Sequence, residues 1–138
     1  MNYGQLIQAY FERSVALQWY WTIYVLVIGG LVAFSIFRLQ RQFWTTVLVS
    51  ILYACFAFKN DGAIEATAAE REAIRAAITE YPNNGANAAD VELLRAKLEP
   101  TLTAYDIAGA RHFHIVCDLL TIAYVWTKER RREALNAK

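Results

Sequence analysis

The chain reads as an all-α integral membrane protein with three transmembrane helices and an extracytoplasmic helical hairpin between the second and the third. Three observations predict this class. Leu17 to Phe37 contains no charged residue, and neither does Gln42 to Phe58; a membrane span needs about 20 mostly apolar residues, within a range of about 17 to 25. Charge is segregated along the chain: Lys59 to Arg111 holds six Lys or Arg and nine Asp or Glu, where a soluble protein mixes charge along each amphipathic element. A third apolar stretch, Ile107 to Trp126, stops abruptly at Lys128-Glu129-Arg130-Arg131-Arg132.

These runs divide the chain into three parts. Residues 1–58 form an amphipathic N-terminal segment and a transmembrane hairpin, with spans at about 17–37 and 42–58. Residues 59–106 form the extracytoplasmic helical hairpin, and 107–138 the third span with a basic tail. In the first part, Tyr3, Leu6, Ile7, Tyr10 and Phe11 recur at helical spacings, so Asn2 to Ser14 extends the first helix outward. Met1 to Ala16 carries one acid, Glu12, and one base, Arg13, which is not the positive leading region of a signal peptide. The first span opens on the aromatic cluster Trp19-Tyr20-Trp21, as at a membrane–water interface.

The linker between the first two spans is only Arg38-Leu39-Gln40-Arg41, which forces an antiparallel pair. Small residues on the two spans, Gly29, Gly30 and Ala33 on one and Ser50 and Ala54 on the other, are the expected packing contact, because small residues four apart let helix backbones approach in lipid. Asn60-Asp61-Gly62 then predicts a break and a new helix start. An Ala-rich helix follows from Ala63 to Tyr81, and Tyr81-Pro82-Asn83-Asn84-Gly85 predicts the turn, with Asn87 as the next cap. Val91, Leu94, Leu98 and Leu102 form an amphipathic stripe, with a joint expected beside Pro100 because proline removes a helical hydrogen bond.

The third span is the least apolar. Counted from His112 to Thr127 it has 16 residues, enough to cross if His112 reaches up to the interface. The rival is a two-span protein whose last helix is a cytoplasmic tail. Basic residues decide between them. Arg38 and Arg41 in the linker and Lys128 to Arg132 at the end belong on the cytoplasmic side, which three spans satisfy and two do not. The expected location is therefore a multi-pass inner cell membrane, with the N-terminus outside and the C-terminus cytoplasmic.

An ionisable residue at membrane depth is a functional candidate by default, and here it is Asp118. Arg111, His114, Asp118 and Thr121 fall on one helical face, which must turn toward the other spans. Counting from the span ends at about 1.5 Å per residue puts Tyr24 and Tyr53 in the same layer as Asp118, so either tyrosine is an expected partner, as is His114. The cluster serves as a polar clamp, a proton or small-ion path built by oligomerisation, or a metal or haem ligand set at His114. His112 and His114 are two apart and point to opposite sides of a helix, so they do not share a metal.

Function classes narrow further. Lys+Arg 14 against Asp+Glu 13 leaves no basic face for a nucleic acid. Cys55 and Cys117 lack metal-pair spacing and read as buried small hydrophobes. There is no Gly-rich phosphate loop and no Ser/His/Asp set with plausible proximity, so no cofactor and no catalytic residue is assigned. The expectation is a non-catalytic accessory or interaction subunit whose partners are the lipid bilayer and either another protein or a second copy. No motif assigns a family.

Overall fold

The computed structural model describes residues 2–38, 40, 42–82 and 88–136. Within them the chain is helical, without a strand: α1 spans Tyr3–Phe37, α2 Phe43–Thr79, α3 Ala88–Leu98 and α4 Ile107–Asn136, with a 3₁₀ turn at Glu99–Thr101. At 35 and 37 residues, α1 and α2 are long and apolar enough to cross a membrane. At about 1.5 Å per residue each exceeds 50 Å, more than the roughly 30 Å hydrocarbon core of a bilayer. Helix α4 is not among the helices apolar enough by that measure, since Arg111, His112, His114 and Asp118 lie in its first half.

Local chemistry sets the ends. Asn2 and Gln5 form a reciprocal capping box at the start of α1, with Gln5 N donating to Asn2 Oδ1 at 2.8 Å and Asn2 N donating to Gln5 Oε1 at 2.9 Å. Helix α3 ends at Leu98, and Pro100 sits in the opening turn of the 3₁₀ segment, where its missing N–H costs nothing. The expected turn at Asn83-Asn84-Gly85 and the Asn87 cap lie outside the described residues.

The break expected at Asn60-Asp61-Gly62 is absent, because α2 runs straight through it. Asn and Asp open a new helix by turning their side chains back on the backbone. Here both are engaged elsewhere: Asn60 faces His114 and Asp61 lies 3.7 Å from Arg111, each across the α2–α4 contact. The charged part of α2 after Phe58 is thus a direct continuation of its apolar part.

Buried positions recur at spacings of three, four and seven: Tyr3, Leu6, Tyr10, Leu17 and Tyr24 on α1, and Thr46, Tyr53, Ala57, Asn60, Ile64, Thr67 and Arg71 on α2. This is the seam of helices packed at a shallow angle. The character of that seam changes along its length. At the end nearer Tyr3, the outer end as opposed to the linker end, it carries two apolar clusters, one of Tyr3, Leu6, Tyr10, Ile78 and Leu102 and a second of Leu17, Ile64 and Ala68, with Thr67 and Arg71 buried beside them. From Tyr24 onward its buried members include Tyr53, Asn60, His114, Thr121, Thr46, Ser35 and Glu129. Over this second part many of the exposed side chains are large and apolar, among them Leu26, Phe37, Leu52, Phe58, Leu119 and Leu120.

Gly29 and Gly30 do not make the expected close contact. Gly29 and Gly30 are exposed, and a Cβ at either would meet nothing within 4 Å. The seam runs through buried Tyr24 and Tyr53, and it leaves Gly29 and Gly30 exposed on another side. Ala33 and Ser50 are half-buried beside the seam, while Ala54 is exposed toward α4. Of the α3 stripe, Leu102 is buried and Val91 packs on the outer cluster, whereas Leu94 remains 46% exposed.

Candidate functional site

The three long helices meet at Asp118. Its Oδ1 accepts hydrogen bonds from Tyr24 Oη of α1 at 2.8 Å and from Tyr53 Oη of α2 at 2.6 Å. Its Oδ2 lies 2.9 Å from Nδ1 of His114, one turn earlier on α4. His114 is 1% exposed. Its ring stacks on Tyr24 with centroids 3.9 Å apart, and its Nε2 lies 3.4 Å from Asn60 Nδ2. Trp21 closes the outer side against both rings and donates its Nε1–H to Tyr105 Oη at 2.9 Å.

The network's proton count is constrained. Tyr24 has one O–H and two acceptors in reach, Asp118 Oδ1 and the His114 carbonyl at 3.1 Å. With the Asn60 amide as placed, His114 Nε2 faces a donor and its proton sits on Nδ1, directed at Asp118. Every partner of the carboxylate is then a donor. A lone proton on Oδ1 is also accommodated, by turning the Tyr24 hydroxyl to the His114 carbonyl.

Of the residues singled out from the sequence, Tyr24, Tyr53, His114 and Asp118 are brought together, and Thr121 is buried one turn further on, bonded to the Cys117 carbonyl at 2.7 Å. Arg111 is on the same side but turns outward, with its guanidinium 3.7 Å from Asp61 and 3.6 Å from Glu65. His112 is exposed on the opposite side of α4. A groove of about 310 Å³ runs between α2 and α4 from Arg111 and Asp61 past Asp118 to Ile122. Ala54, Ala57, Phe58 and Ile115 form its walls.

Two further polar clusters escaped the sequence reading. At the linker end, Glu129 is 2% exposed and pairs with Arg38; its Oε1 accepts from the Gln42 N–H at 3.0 Å, capping α2. Arg38 also donates to Thr46 Oγ1 at 2.7 Å, and Arg132 lies 3.8 Å from Glu129 and donates to the Ser35 carbonyl. At the outer end, buried Arg71 lies over the Tyr10 ring at 4.6 Å and donates to Ser14 Oγ at 2.9 Å, to the Thr103 carbonyl at 3.0 Å and to Tyr10 Oη. Nearby, a hydrogen bond from Arg75 holds the Glu72 carboxyl below its ordinary range.

Both clusters continue the periodicity of their helices, since Glu129 follows Thr121 and Val125 at four-residue steps and Arg71 follows Asn60, Ile64 and Thr67. That periodicity was the available signal. No known protein family matches this chain, and neither does any curated protein or any solved structure.

Proposed function

We propose that this is a three-span inner-membrane protein that acts as a non-catalytic accessory or interaction subunit, with the linker and C-terminus cytoplasmic. The observation that carries the reading is the inverted polarity of the bundle from Tyr24 onward. Buried contacts there are made by Tyr53, Asn60, His114 and Asp118, while Leu119 and Leu120 are 63% and 65% exposed on α4. An exposed apolar surface beyond a few hundred Å² marks lipid or a partner. The same pattern on α4 supports a third span, since its polar side is turned inward and Phe113, Val116, Leu119 and Leu120 outward.

Asp118 is, in this proposal, a clamp that fixes α4 on the α1–α2 pair by accepting from one residue on each helix. Apolar contact supplies little drive for helix association in lipid, so such polar ties fix register. The test is single-cysteine labelling with a membrane-impermeant reagent, in a chain lacking Cys55 and Cys117. A cysteine at position 85 is expected to label in intact cells and one at position 41 to be protected. The reverse pattern would overturn the orientation. Mild extraction and identification of co-purifying proteins tests the accessory role.

A second reading, a small-ion or proton path centred on Asp118, is favoured by the groove that reaches the carboxylate from the Arg111 end. A metal or haem site at His114 gains no support from the geometry, because both ring nitrogens face side chains of the network.

A further inference from the structure

We propose that the groove between α2 and α4 is a binding site for a small amphiphilic organic cation whose ammonium group pairs with Asp118. The inference rests on the three-span reading, because it is at membrane depth that an ionised carboxylate most needs a countercharge. The partners of Asp118 are the hydroxyls of Tyr24 and Tyr53 and the Nδ1 of His114. All three can donate to the carboxylate, and the two tyrosines bring no charge. Among the described residues no lysine or arginine pairs with Asp118, and Arg111 is held at the outer end by Asp61 and Glu65. Oδ1 already accepts two hydrogen bonds, whereas Oδ2 accepts one and keeps a lone pair.

The groove supplies access to that atom. The Asp118 side chain is 20% exposed, and it lies along a groove of about 310 Å³. This is the lower end of the size range of small-molecule pockets. Ala54 and Ala57 leave the room, and Phe58, Ile115 and Ile122 make the walls apolar. A carboxylate beside apolar walls selects an ammonium donor carrying a short hydrocarbon body. Beside Asp118 an anion is repelled, since Arg111 stands at the far end of the groove with Asp61 and Glu65 about it, and a bare metal ion finds few oxygens to replace its water.

The test uses the full chain in neutral maltoside micelles and in vesicles, with Cys55 and Cys117 replaced by Ala and a single Ala54→Cys. Position 54 is exposed, so the substitution leaves the seam untouched. The rate ratio of the trimethylammonium-ethyl to the sulfonatoethyl thiosulfonate at this cysteine is expected to exceed the same ratio for free 2-mercaptoethanol by about tenfold or more. Butylammonium should slow the reaction, and 1-butanol should not. Asp118→Asn should bring the ratio to within about twofold of the free-thiol value. A rate ratio unchanged by Asp118→Asn, or equal protection by butanol and butylammonium, would overturn the site; the second comparison keeps Asp118 intact and so does not depend on the variant folding. Leu52→Cys, 59% exposed on the opposite side of α2, should resist both charged reagents in vesicles. Its reaction at the Ala54→Cys rate with both would overturn the membrane reading, and this inference with it.

Discussion

Asp118 shows how one side chain holds three helices, and what its replacement does depends on which hydrogen bonds survive. In Asp118→Asn the amide oxygen still accepts from Tyr24 and Tyr53, and the amide nitrogen donates to His114 Nδ1 once the imidazole shifts its proton to Nε2 and the Asn60 amide turns its oxygen toward it. The expected loss is about 1 kcal/mol, the scale of one altered hydrogen bond. Asp118→Leu removes the acceptor of the Tyr53 hydroxyl and of the His114 ring nitrogen, at about 1 to 3 kcal/mol each, while Tyr24 keeps the His114 carbonyl, so the loss is several-fold larger than for Asn. Thermal unfolding in detergent measures both, and equal losses would show that the carboxylate is not the clamp. Asp118, Tyr24 and Tyr53 were legible in the sequence because each lies at a countable distance from a span end. Asn60 was not, because an asparagine beside Asp61 and Gly62 carries the local signature of a helix cap, and only the position of His114 on a distant helix draws its amide inward.

The same competition between local and distant partners explains α2 as an element. A helix can run through Asn60-Asp61-Gly62 when tertiary partners occupy the capping side chains, and Gly62 then costs only its own backbone entropy. Gly62 is exposed in the helix, and a Cβ there would meet nothing within 4 Å. Gly62→Ala is therefore expected to stabilise the protein by about 0.5 to 1 kcal/mol, read from unfolding in detergent. A true break with glycine in a left-handed conformation would respond with a loss instead, so the sign of the change decides whether α2 is continuous. The existence of the long apolar helices was legible from charge-free length. Their packing was not, because Gly29 and Gly30 advertise close approach while the tyrosine-lined seam passes on another side. A pattern of small residues says which surfaces permit contact, and the large polar residues say which surfaces must be covered.

Across the whole molecule, three polar ties hold the bundle at three levels. Arg71 joins α1, α2 and the segment leading to α4 at the outer end; Asp118 joins α1, α2 and α4 in the middle; Glu129 joins Arg38 at the end of α1, the start of α2 and Arg132 at the linker end. The outer tie sits beside an apolar core, where burial also contributes, and the lower two sit where the exposed surface is itself apolar. The lower ties therefore carry more of the helix registry, and the linker-end tie is the sharpest case. Its side chains are strongly buried, with Arg38 at 11% and Glu129 at 3% exposure. Removing one partner of a buried pair costs about 3 to 5 kcal/mol, since the remaining charge is stranded, whereas replacing both is far milder. Glu129→Gln strands Arg38 beside Arg132 and is expected to fall in that range. Arg38→Gln combined with Glu129→Gln should recover at least half of the loss, because one stranded cation is removed and the Gln42 N–H still finds an amide oxygen. A double-mutant cycle by unfolding in detergent reads the coupling. Simple additivity of the two single losses would mean that Arg38 and Glu129 act independently, and that α4 is fixed against the linker by something other than this pair.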